Sequence, residues 1–182
     1  AVGFGVYGAV ILQTLYGLSP LEAGYVVGAE AMGWTVAALI VGEFSQAREQ
    51  VCIRAGALLI TVGLGSLAFT LVSGQLWLVI MSATVLGAGF GTSWAYVTRA
   101  ILENLPESER AVGSSAVPAM QMVGNAVGAA GAGIIANALG LADGINRQDA
   151  TTISIWLFAA AFPLAVFGAS CAFRLAPKAA NG

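Results

Sequence analysis

Side chains able to do chemistry are sparse in this chain, and one stands apart. Glu30 lies about seven residues, roughly 10 Å at the helical rise, inside an apolar stretch. An ionised carboxylate there cannot face hydrocarbon; it must face a cavity or partner helices, pair, or carry a proton. Proton or substrate coupling and a purely structural hydrogen bond are both open to it. Trp34, at i+4 on the same stripe, can wall the same cavity. Gln121 and Asn125 also share a helix face, continued by Ser114 and Pro118. Two amides one turn apart either offer donors and acceptors to a ligand or lock their helix to a neighbour. Gln13, close to Tyr16 at the end of the first apolar stretch, is a cavity candidate or a simple cap. Trp94 lies deeper in its stretch than Tyr96 and is the better pocket candidate, whereas Tyr96 and Trp77 read as interface aromatics. Arg99 either snorkels or pairs with Glu103 at i+4, and Arg54 has a similar reading. Holding a cytoplasmic gate closed is the functional alternative for both arginines.

Other chemistries are missing from the list. There is no His, and Cys52 and Cys171 are far apart, so no zinc site, haem ligand or CxxC redox pair can be assembled. A serine or cysteine nucleophile would lack its imidazole base. The expectation is a protein that is not an enzyme and uses no metal or cofactor. Seven basic residues scattered singly in a chain of net charge −2 argue against a nucleic-acid partner.

The elements that must position these residues follow from composition. Of 182 residues, 58% are apolar and 9% charged, with a mean hydropathy of +0.86; an ordinary soluble domain is about 25% charged. Apolar stretches of about 20 residues, the span signal, fall at 23–42, 51–72, 76–101, 111–139 and 152–173, with a first, truncated one at 1–16. The pattern predicts an all-α membrane protein with six transmembrane helices; the period-2 alternation of a transmembrane barrel is absent. Six basic residues (Arg48, Arg54, Arg99, Arg110, Arg174 and Lys178) fall on one side of these spans and only Arg147 on the other. That bias predicts a multi-pass protein of the cytoplasmic (inner) membrane with its C-terminus in the cytoplasm. Gly24-x3-Gly28, Gly87-x3-Gly91 and Gly124-x3-Gly128, the last followed by Ala132, read as seams where helix backbones approach closely. Pro118 and Pro163 can bend their spans. The chain opens AVGFGVYGAVILQTLYG, without an initiator Met or a signal-peptide pattern, and is expected to continue upstream.

LQTLYGLSPLEAG (residues 12–24), LGAGFGTSWA (86–95) and ERAVGSSAVPAMQMVGNAVGAAGAG (109–133) carry a family likeness. The chain resembles the C-terminal half of a major facilitator superfamily transporter, and most of all the fourteen-helix drug:proton antiporters. The resemblance implies two pseudo-symmetric six-helix bundles enclosing a substrate cavity, of which this chain would be the second. The N-terminal bundle would then be missing, unless two copies pair. It also implies a small-molecule substrate, protons and a lipid bilayer as partners, and Gln13, Glu30, Trp94 and Gln121 as cavity-facing candidates. The family's loop motif, Gly-x3-Asp-Arg-x-Gly-Arg, is eroded here. Gly42 keeps its first position, but Gln46 and Ala47 replace the Asp and the first Arg, and Arg48, Glu49 and Gln50 follow.

The leading expectation is therefore secondary active transport of a small organic solute, proton-coupled and directed outward. A non-transporting structural or assembly module of the same fold is the alternative. A channel lacks a repeated pore loop, and an ATP-driven pump lacks a Walker loop.

Overall fold

The computed structural model describes residues 2–44, 48–141 and 145–174. Gln46 and Ala47 of the loop motif and Lys178 of the tail lie outside these. Six helices form: α1 (Val2–Tyr16), α2 (Pro20–Gly42), α3 (Glu49–Thr70), α4 (Leu76–Glu103), α5 (Arg110–Ala138) and α6 (Arg147–Arg174), with a 3-10 turn at Glu107–Glu109 before α5. All but α1 are long and apolar enough to cross a membrane. The result is an all-α six-helix bundle.

Local chemistry sets several boundaries. The Ser19 hydroxyl accepts from the Glu22 amide (3.3 Å), the Glu22 carboxylate accepts from the Ser19 amide (2.8 Å), and Pro20 takes the first helical position. This reciprocal cap starts α2 three residues before the apolar stretch. α6 starts five residues before its stretch for the same reason. Asn146 Oδ1 accepts from the amides of Gln148 (2.8 Å) and Asp149 (3.0 Å), and Asp149 accepts back from the Asn146 amide (3.2 Å). Gly17, with φ +68°, lets the chain leave α1 through a left-handed residue.

α4 is the axis of the bundle, lying between α2 and α3 along most of its length. Two glycine seams allow this. Toward α2, Gly33 packs on the Thr84 backbone, Gly87 on the carbonyl of Glu30, and Gly91 on the carbonyl of Trp34. Toward α3, a β-carbon on Gly63 would stand 2.6 Å from Leu86 N, and one on Gly89 would stand 2.6 Å from Ile60 N. Both distances lie inside van der Waals contact, so only glycine fits. In lipid the hydrophobic effect gives helices no reason to associate, and such backbone approach supplies dispersion contact instead.

A buried core of Phe4, Leu12, Leu67, Leu86, Ile153 and Phe158 joins α1, α3, α4 and α6. Within it the Phe4 and Phe158 rings sit 6.4 Å apart at 57°. Gly87-x3-Gly91 is thus a seam, as the spacing predicts. Gly24, Gly28 and Gly124 are not: no neighbouring atom lies within 4 Å of where their β-carbons would stand. They occupy faces of α2 and α5 that no described helix covers at those points. α5 and α6 run continuously through Pro118 and Pro163.

The tyrosines correct a second expectation. Tyr96 is buried, not an interface aromatic, and its hydroxyl donates to the Val41 carbonyl at 2.6 Å. Tyr16 donates to the carbonyls of Thr70 (3.0 Å) and Leu71 (3.1 Å). Each phenol adds a donor to carbonyls at a helix C-terminus, where Val41 and Thr70 also accept from the Phe44 (3.0 Å) and Ser73 (3.2 Å) amides of the following turns.

Candidate functional site

The residues singled out by sequence fall into two groups and several isolated positions. The first group is on the α2–α4 seam. Glu30 is half-buried, and the carbonyl of its own residue is the contact for Gly87. Among the described residues its carboxylate has no hydrogen bond and no ion pair. One turn on, Trp34 lays its ring on Phe90 of α4, with centroids 5.5 Å apart and planes at 17°. Stripe and seam coincide: the helical period that puts Trp34 above Glu30 puts both against the glycines of α4.

The second group lines a groove of about 630 Å³ between α4 and α5. Trp94 forms one wall and Gln121 the other, with Met120, Val117 and Ile101 between them and Glu109 and Leu105 also on the lining. A flat aromatic, a flexible thioether, one amide and the Glu109 carboxylate make a mostly apolar site with two polar groups, which suits an amphipathic solute. Trp94 is seven residues beyond Gly87 on α4, so the groove begins about 10 Å along the helix from Glu30.

Gln13 is not brought to either group; its amide donates back to the Ala9 carbonyl at 3.1 Å on its own helix. Asn125 is exposed and is not on the groove lining, so the face it shares with Gln121 does not make a joint site here. Of the loop and gate candidates, Gly42 is the exposed last residue of α2. Arg48 sits over the Phe44 ring at 5.0 Å. Arg54 reaches the end of α6, donating to the Phe173 carbonyl at 3.5 Å and lying 5.7 Å from its ring. Arg99 binds Glu103 at 2.7 Å, the i+4 pairing the spacing predicts. No described group of His, Cys, Asp and Glu is placed to hold a metal ion.

Phe90, Met120 and Glu109 are lining or stacking residues that sequence reasoning passed over. Phe90 and Met120 are unremarkable apolar residues in apolar spans, and only packing distinguishes them. Glu109 could have been found, since it is a charge two residues before the span at 111–139, where a groove between spans would open.

α5 is the most exposed helix of the set. Only Gly113, Ala132 and Ala136 are buried in it, while Val112, Met120, Met122, Val123 and Val127 stand exposed. Tyr25, Met32, Val36 and Leu39 of α2 are exposed likewise. A second cleft of about 380 Å³, lined by Gly128, Gly131, Phe158 and Leu164 among others, separates α5 from α6.

Comparison with known proteins agrees with this architecture. Two curated relatives, both described as probable multidrug-efflux transporters and coming from the CDC 1551 / Oshkosh and ATCC 25618 / H37Rv strains of Mycobacterium tuberculosis, are each 28% identical over 131 residues. The match covers 69% of this chain but 28% of each relative, so the chain spans well under half the length of those proteins. No solved structure matches. The Major Facilitator Superfamily model matches residues 1–182. With six helices, α2 and α3 joined to α4 by glycine seams and a groove of about 630 Å³ beside it, the chain belongs to the major facilitator superfamily, a family of membrane transporters and not of enzymes.

Proposed function

We propose that the full-length protein exports a small organic solute in exchange for protons, with Glu30 as the group that takes up and releases the proton. The observation that carries this reading is the setting of Glu30. It is a carboxylate midway along a spanning helix, half-buried, without an ion partner among the described residues, and seated on the α2–α4 seam. An intramembrane acid with no counter-charge is a group whose protonation state can change as its surroundings change. Because the Glu30 backbone rests on Gly87, a shift there bears directly on the helix that carries Trp94. The groove of Trp94, Met120 and Gln121 is the solute site in this reading. The efflux description of the mycobacterial relatives supports the outward direction.

The same reading makes this chain the second six-helix bundle. The uncovered faces of α2 and α5 would meet the remainder of a longer protein or a second copy. In this reading the end of the bundle that carries Arg48, Arg54, Arg99, Arg110 and Arg174 faces the cytoplasm of an inner membrane, which their clustering supports, and Gly42, Arg48, Arg54 and Arg99 are candidates for the cytoplasmic gate.

The test is Glu30→Gln in the full-length protein, reconstituted in vesicles and driven by a pH gradient against a panel of amphipathic solutes. Gradient-driven transport is expected to vanish while solute counterflow, which needs no net proton movement, persists. Undiminished gradient-driven transport in the variant removes Glu30 from the coupling step. A wild-type protein that shows no counterflow with any solute favours the structural-module alternative.

A further inference from the structure

A third hollow, whose lining carries three charged side chains beside apolar surface, lies where α4 ends and α5 begins. It measures about 300 Å³, is lined by Ala95, Thr98, Arg99, Leu102, Glu103 and Arg110, and shares no lining residue with the groove. Thr98 is its anomaly. Thr35, Thr61, Thr84 and Thr92 each donate to the carbonyl one turn back in their helices. The Thr98 hydroxyl oxygen is buried yet has no hydrogen-bond partner among the described residues. A buried hydroxyl left in that state costs about 1–3 kcal/mol unless something else supplies its bond.

The charges around it favour an anion. Arg99 engages Glu103 through Nε, which leaves its terminal nitrogens outside that pair. Arg110 forms no ion pair among the described residues. Two guanidiniums against one carboxylate leave the lining with one positive charge. Glu49 also acts on Arg99 from the start of α3, and Glu107 and Glu109 occupy the turn before Arg110. These acids repel any anion in proportion to its charge, so a singly charged ligand is opposed least. The depth is that of a headgroup: the last turn of α4 and the first residue of α5 flank the polar segment at 104–109, and Ala95 and Leu102 add an apolar wall.

We propose that this hollow binds the phosphate of an anionic phospholipid, its phosphodiester held by Arg99 and Arg110 with the Thr98 hydroxyl as a further donor. A phosphodiester carries the single negative charge that the lining lacks, and arginine forks match its oxygens. A free phosphate ion offers the same oxygens but more charge and nothing for the apolar wall.

The experiment is native mass spectrometry of the purified full-length protein titrated with phosphatidylglycerol. Arg110→Gln is expected to weaken binding about tenfold, or roughly 1.4 kcal/mol, and Thr98→Val to weaken it less. Arg110 is exposed and outside any described ion pair, so its replacement leaves the fold intact, which gel filtration checks. Arg48→Gln, on the loop at the same end of the bundle, is expected to change binding less than about twofold, as a purely diffuse charge effect would. Equal losses in the two arginine variants, or none in Arg110→Gln, overturn the site. Displacement of the lipid by an equal concentration of inorganic phosphate overturns the lipid as occupant. Binding is read without transport, so the result stands apart from the coupling role of Glu30.

Discussion

α4 and α5 are nearly the same length, 28 and 29 residues, and both are rich in glycine, yet they are used in opposite ways. α4 buries nine residues from Val79 to Tyr96 and turns glycines toward two neighbours at once. α5 buries three, meets Leu102 of α4 and Leu105 of the following loop through Gly113, and leaves Gly124 in open space. Glycine in α4 brings backbones together; glycine in α5 leaves a smooth surface for something else to meet. The candidate solute groove lies where these two regimes join, with a fixed wall carrying Trp94 and a lightly held wall carrying Gln121. A site that must open and close is served by that arrangement, because one wall can move without unpacking the other.

The contrast can be broken outright. Gly87→Leu drives a side chain into the Glu30 carbonyl and is expected to cost 3 kcal/mol or more, roughly the upper end of core overpacking, seen as loss of a monodisperse folded species in detergent. Gly124→Leu, the matching change on α5, meets no neighbour among the described residues and is expected to cost markedly less than Gly87→Leu by the same measurement. Comparable losses in both would show that α5 is as tightly packed as α4. Tyr96→Phe is a smaller cut on the α4 side. It removes one donor from the Val41 carbonyl, which keeps the Phe44 amide at 3.0 Å, and should lower stability by up to about 1 kcal/mol, measured by thermal unfolding. On the α5 side, Gln121→Ala is expected to shift stability by less than about 0.5 kcal/mol while changing which solutes compete for counterflow. A large stability loss there would mean that Gln121 ties helices together and does not serve a solute.

Much of the architecture was legible because a bilayer is a strict solvent. Apolar length alone marks the spans, and the i, i+4 rule correctly aligned Glu30 with Trp34 and Arg99 with Glu103. Small-residue spacing was less informative. Gly87-x3-Gly91 and Gly24-x3-Gly28 look alike in sequence, and which one has a neighbour is settled by tertiary packing. Gly33, Gly56, Gly63 and Gly89 went unnoticed because their partners lie on other helices and no i+4 repeat flags them. Two boundaries were readable and missed: Ser19-x-x-Glu22 and Asn146-x-x-Asp149 are reciprocal caps spelled out in the chain. Asn125 fell outside the groove although it shares a helix face with Gln121. A common face does not make a common site when one residue lies a turn past the groove.

The place of α4 between α2 and α3 bears on how the protein is made. α2 and α3 follow each other in the chain, but each keeps its main partnership with α4, which is synthesised after both. Until α4 enters the membrane, Gly33 on one helix and Gly56 and Gly63 on the other have only lipid to meet. Chains halted at the α3–α4 turn should therefore hold α2, packed on α1, and α3 as spans not yet joined to each other, which chaperones and membrane proteases can reach. Extending synthesis through Glu103 should dock both in one event.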